Sequence, residues 1–160
     1  MIQAKPILGF GLNSFSYQLE GYAPYSVDRM IQLFGPVWPV VHNSYFLVWA
    51  EQGTFALILF LGLHFHLLWL AWRNTRFGLS EKVTMLNVGL FGAVVAIMVD
   101  SLGSFYIRVP GPARIFWIVA GLIVASHYWN VRNLAMRRTE MGAAGPPGSL
   151  PAAGPFPQRH

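Results

Sequence analysis

The pattern of apolar and polar positions changes character at Ser44. Before it, short apolar runs are broken repeatedly by Gly and Pro. Within this part, Ser26 to Phe34 predicts one short helix, with Ser26 as N-cap and Gly35-Pro36 as its stop. After Ser44 come long uncharged stretches. Thr54 to Trp72 (TFALILFLGLHFHLLWLAW) holds no charge, and at ~1.5 Å per residue it covers about the ~30 Å of a hydrocarbon core. The apolar pattern already begins at Tyr45, so the spacing predicts a helix that starts outside the membrane. Trp69 and Trp72 near its end suit an interfacial aromatic belt. A second run covers 83–100 and stops at Asp100; its Gly89, Gly92 and Ala93 permit close helix approach. Residues 101–113, with Pro110 and Pro112, read as a turn. A third run covers 114–131 and ends in the amphipathic Trp129. From 132 the chain turns Gly-, Pro- and Ala-rich, which predicts a disordered tail over 132–160.

The predicted fold is therefore all-α: a polytopic membrane domain over 1–131 with three transmembrane helices and an outer-face loop segment, followed by a disordered tail. Composition supports a bilayer as the solvent. The chain is 54% hydrophobic and only 11% charged, with mean hydropathy +0.45; soluble domains carry roughly 25% charged residues. The N-terminal stretch, broken by Pro6, Gly9 and Gly11, does not read as a signal peptide. With no cysteine the chain can form neither a disulfide nor a thiolate site.

The net charge of +5 is not a signal for nucleic acid as a partner, because the basic residues flank the apolar segments instead of forming a basic face. They act better as topology signals. Three spans place Arg73, Arg76, Lys82, Arg132, Arg137, Arg138 and Arg159 on one side, and Lys5, Arg29, Arg108 and Arg114 on the other. By the positive-inside rule, 73–82 and the C-terminal tail are cytoplasmic, and 1–53 and 101–113 lie on the outer face. His42, Glu51, Asp100, Arg29, Arg108 and Arg114 then gather at the outer surface, a set suited to an anionic, lipid-linked head group. No metal-ligand cluster stands out, and no cofactor is implied. His64 and His66, about 200° apart on a helix, cannot both face one site.

The stretch from Val41 to Gly53 resembles the hallmark of the O-antigen ligase and polymerase family: His, then Asn, Ser or Gln, nine residues, Gly, two residues, and Gly, Thr or Tyr. His42, Asn43 and Gly53 match; Ala56 departs from the last position while keeping a small side chain. Upstream, the segment from Pro6 to Phe15 resembles the family's Pro-x-x-Gly-x-Gly-x-x-x-Phe. Downstream, Asp100, Arg108-Val-Pro and Arg114-Ile-Phe-Trp resemble its closing outer loop and last helix. The resemblance implies transfer of a glycan from a polyprenyl diphosphate carrier to an acceptor (lipid A core, another glycan repeat or a protein hydroxyl) at the outer face of a bacterial inner membrane. The family has many more spans than three, so the likeness is to a C-terminal portion, with the preceding spans missing or supplied by a separate chain.

Within that frame His42 is the candidate catalytic residue, a general base for the acceptor hydroxyl; the plainer alternative is an interfacial histidine at the start of a helix. Asn43 is a candidate substrate contact and equally an N-cap. Arg108, Arg114 and Arg29 offer planar bidentate donors to a diphosphate, or else meet lipid head groups or a carboxylate. Asp100 is costly against lipid, so it is expected to be paired, with Arg108 or Arg114 as the natural partner, or exposed to a wet cavity. Glu51 reads first as an interfacial charge. Tyr17, Tyr22, Tyr25, Trp38 and Tyr45 could stack on sugar rings or anchor the interface. The rival reading is a non-catalytic membrane subunit or scaffold.

Overall fold

A computed structural model describes residues 1–22, 26–34, 41–78 and 80–143. Tyr25, Trp38 and the tail beyond 143 lie outside the described residues. All regular structure among them is helical: α1 (Phe15–Gln18), α2 (Val27–Phe34), α3 (Ser44–Arg76), α4 (Glu81–Asp100) and α5 (Pro110–Ala143), with 3₁₀ turns at Leu19–Gly21 and Tyr106–Arg108.

The three long helices form an up-down-up bundle. α3 and α4 run antiparallel, since Ser44 N–H donates to the Ser101 carbonyl at 2.9 Å while Trp72 packs on Phe91 near the other end. α5 runs alongside α3, with Phe116 stacked on His64 and Ile123 beside Asn74. Leu67, Leu70, Ala71, Leu90, Val94, Phe116, Val119, Ala120 and Ile123 fill the space between them.

Within this apolar seam sits His64, fully buried. Its Nδ1 lies 2.7 Å from the Phe60 carbonyl, which can only accept, so Nδ1 carries the hydrogen and Nε2 accepts from the Tyr106 hydroxyl at 2.9 Å. Burial pushes the Tyr106 hydroxyl up to about 12, so it remains a donor at any physiological pH. His66 faces outward beside Trp69, which bears out the opposed directions expected for the two histidines.

α3 and α4 are long and apolar enough to cross a membrane. Their outward faces leave Phe55, Ile58, Leu59, Phe65, Met85, Leu86 and Val88 exposed, whereas a helix inside a soluble core would bury such groups. α5 is long but fails the same measure, because its apolar stretch over 115–125 gives way to Ser126, His127, Tyr128, Trp129 and Asn130.

Two expected boundaries shift. Pro110 and Pro112 open α5 instead of closing a turn, since the first turn of a helix needs no intrahelical N–H donors. The disorder expected from 132 is replaced by helix as far as Ala143. Val131 to Met141 holds neither Gly nor Pro and is rich in Leu, Ala, Met, Arg and Glu, so nothing in it halts propagation.

Candidate functional site

The end of the bundle that carries His42 is built around a break in α3. Asn43 caps the helix: its Oδ1 accepts from the Phe46 N–H at 2.9 Å. At Gly53 the backbone leaves the helix, with φ 83° and ψ −179°, a conformation that an L side chain resists. The carbonyls released by the break are taken up by the N-terminal segment. Phe10 N–H donates to the Ala50 carbonyl at 3.2 Å, and Gly11 N–H to that of Glu51 at 2.7 Å. In return Thr54 N–H reaches the Pro6 carbonyl at 2.8 Å, and the Thr54 hydroxyl donates to it at 2.7 Å.

The approach leaves no room for side chains at two points. A Cβ on Gly53 would overlap the Ile7 carbonyl, and one on Gly9, itself at φ 67°, would overlap the Glu51 backbone. The glycines of the two motif stretches are thus the contact points of one interlock.

Glu51 stands at its centre, 2% exposed. Oε2 accepts from the Asn13 N–H at 3.0 Å and Oε1 from the Phe15 N–H at 2.8 Å, which fixes the start of α1. Oε1 also meets Nη2 of Arg108, whose side chain is 22% exposed. A carboxylate held this deep needs both the counter-charge and the amide donors to offset its desolvation. The expectation of Glu51 as an interfacial charge is corrected. The sequence signal was an acid inside an apolar helical run, two residues before a glycine.

The expected Asp100 pairing is corrected as well. Arg108 is drawn to Glu51 by the 3₁₀ turn that carries it over α3. Asp100 stays exposed at the end of α4 and accepts from the Ser104 hydroxyl at 2.5 Å. Arg114 is exposed near the start of α5, and Arg29 is exposed on α2. Among the described residues Arg114 makes no ion pair with Glu51.

His42 precedes the cap, exposed, with its ring edge-on to Phe105 at 5.3 Å. The loop bearing Phe105 is stitched to the start of α3. Asn43 Nδ2 donates to the Leu102 carbonyl at 3.1 Å, the Ser44 hydroxyl to the Ser104 carbonyl at 2.9 Å, and the Tyr45 hydroxyl to the Met98 carbonyl at 2.8 Å. Both ends of the Asn43 amide are therefore engaged within the fold. A groove of about 240 Å³ runs between α3 and the start of α5, lined by Val48, Gln52, Ala56, Phe60, Tyr106 and Phe116 among others.

Among known proteins, the chain is 25% identical over 120 residues to the teichuronic acid biosynthesis protein TuaE of Bacillus subtilis (strain 168), an alignment that covers 74% of this chain. The chain spans only 22% of that relative's length. The likeness is a distant link to cell-surface polysaccharide biosynthesis. No family model matches the chain, and no solved structure matches it.

Proposed function

We propose that this chain is the C-terminal part of an O-antigen ligase-like glycan transferase, acting at the outer face of a bacterial inner membrane. α5 serves as a third span beside α3 and α4, and 73–82 and the C-terminal end face the cytoplasm. One observation carries the reading. The three stretches whose resemblance was read separately, Pro6–Phe15, His42–Gly53 and Arg108 onward, meet at one buried carboxylate, that of Glu51. Stretches matched by chance would have no reason to share a centre. The likeness to a polysaccharide biosynthesis protein agrees in broad function.

In this reading His42, exposed at the surface, takes the proton of an acceptor hydroxyl. The hydroxyl oxygen then attacks the anomeric carbon of a glycan carried on polyprenyl diphosphate. The bond from that carbon to the diphosphate breaks, and its electron pair leaves with the diphosphate. Arg114 and Arg29 offset the charge on the departing group, while Arg108, committed to Glu51, serves to position the site. The acceptor is a glycan, lipid A core or protein hydroxyl, and further spans from a longer or separate chain complete the enclosure.

The second reading is a non-catalytic subunit or scaffold. It is favoured by His42 lying exposed and by Arg108 being committed to Glu51. The two are separated by transfer assays on membranes holding the chain and a polyprenyl diphosphate-linked glycan. A catalytic base is worth roughly 10²–10⁴-fold in rate. Loss of that order in His42→Ala supports the transferase. Undiminished transfer by His42→Ala removes His42 as base and favours the subunit.

A further inference from the structure

The end of the bundle opposite His42 holds a second cavity, of about 230 Å³, between the last turns of α3 and the polar part of α5. Arg73, Asn74, His127, Asn130 and Arg138 line it, with no carboxylate among its lining residues. Asn130 is 2% exposed, yet neither its Nδ2 nor its Oδ1 has a hydrogen-bond partner. A buried amide left unpaired on both sides is costly, and such groups mark places where something else completes the bonding. The neighbouring polar groups bond elsewhere. Asn74 Nδ2 donates to the Ile123 carbonyl at 3.1 Å, which turns Asn74 Oδ1 toward His127 Nδ1 at 2.9 Å. His127 therefore donates from Nδ1, and the Asn74 amide is turned to Ile123 and His127, not to Asn130.

The charges point the same way. The Arg73 guanidinium lies over the Trp69 ring at 5.3 Å and the Phe77 ring at 5.9 Å. Neither ring offers the guanidinium a carboxylate or carbonyl acceptor, so its N–H groups remain for an oxyanion. Arg138 adds a second cation, and among the described residues neither arginine pairs with a carboxylate. The cavity lies beyond the apolar run of α3, one turn past the exposed Trp69 and Trp72, at the depth where lipid head groups meet an aromatic belt.

We propose that this cavity binds the head group of an acidic phospholipid. The phosphate bridges Arg73 and Arg138 and accepts from Asn130 Nδ2; a head-group hydroxyl, as in phosphatidylglycerol, donates to Asn130 Oδ1. The site is independent of His42 and of the transferase reading. It anchors the far end of α5 to the bilayer surface.

The test uses the full chain in phosphatidylcholine nanodiscs doped with phosphatidylglycerol, released for native mass spectrometry. Wild type should retain one phosphatidylglycerol. Arg73→Gln with Arg138→Gln, and separately Asn130→Leu, should each retain it roughly tenfold less, as expected for losing charge-assisted or buried hydrogen bonds. Asn130→Asp keeps the size of the side chain and sets a carboxylate against the phosphate, so it should lose the lipid even if the leucine variant misfolds. Equal retention by wild type and these variants means that the cavity holds only water, and overturns the proposal. Thermal stabilisation by inorganic phosphate equal to that by phosphatidylglycerol overturns the lipid assignment in favour of a free anion.

Discussion

Replacing Glu51 with Ala should release the N-terminal segment from the bundle while leaving the helical core intact. Removing one partner of a buried ion pair costs about 3–5 kcal/mol. Arg108 keeps 22% of its side chain accessible, so water takes up part of the abandoned charge and the low end of that range applies, about 3 kcal/mol. The Asn13 and Phe15 amides lose their acceptors in the same step, so the change is felt first at the start of α1. Hydrogen exchange in detergent micelles reads this directly. A loss of about 3 kcal/mol corresponds to roughly hundredfold faster exchange at these two amides, with little change at buried Val94 in α4. Glu51→Gln keeps the shape and one acceptor oxygen, and should fall between, at about 1–2 kcal/mol. Asp100→Asn, at an exposed site, should stay within about 0.5 kcal/mol of wild type. Unchanged exchange at Asn13 and Phe15 in Glu51→Ala would refute the claim that this carboxylate holds the segment.

Three further outcomes follow from the same geometry. Gly53→Ala must adopt φ 83° and push into the Ile7 carbonyl, so it should cost about 2 kcal/mol or more and expose residues 1–22 to limited proteolysis. Tyr106→Phe leaves His64 Nε2 without its donor and should lower thermal stability by about 1–3 kcal/mol. Tyr106 also sets an alkaline limit: its hydroxyl is raised from 10.0 to about 12, so the folded state holds the proton that the unfolded chain releases. That contribution is complete below pH 10, declines as pH rises through about 12, and should be absent from the stability profile of Tyr106→Phe.

What the sequence revealed and what it hid divide along a physical line. Helices α3 and α4 were legible because unbroken apolar composition needs no partner to be recognised, and the start of α3 because Asn43-Ser44 is a capping pair. α5 was legible at its apolar start. Its extension to Ala143 was hidden by a charged stretch that reads as a solvated tail when helix propensity is not weighed separately from hydropathy. The break at Gly53 could not be read. A glycine in a helical run is ordinary, and only Pro6–Gly11 arriving from far along the chain gives that residue its conformation. Pairing was the least legible feature. Sequence proximity set Arg108 against Asp100, whereas the 3₁₀ turn at Tyr106–Arg108 carries the side chain to Glu51.

That misassigned pair bears on the candidate chemistry. An arginine locked to a buried carboxylate has lost much of its capacity to neutralise a diphosphate, because the field it offers is already offset at close range. Glu51 and Arg108 are therefore positioning residues. They clamp the N-terminal segment, the kinked helix and the closing loop together, while Asn43 and Ser44 tie the loop of Phe105 to the cap of α3 where His42 emerges. If transfer occurs at this surface, the charge of the leaving group falls to Arg114, Arg29 and whatever further spans contribute. Kinetics can separate the two roles. Arg108→Lys keeps a positive charge on a side chain that cannot reproduce the guanidinium fork, so it should weaken protection of Asn13 and Phe15 along with activity. Arg114→Gln, at an exposed residue, should reduce transfer while leaving that protection intact. The opposite pattern, with Arg108 affecting rate alone and Arg114 affecting the fold, would show that the clamp and the charge sink have been assigned the wrong way round.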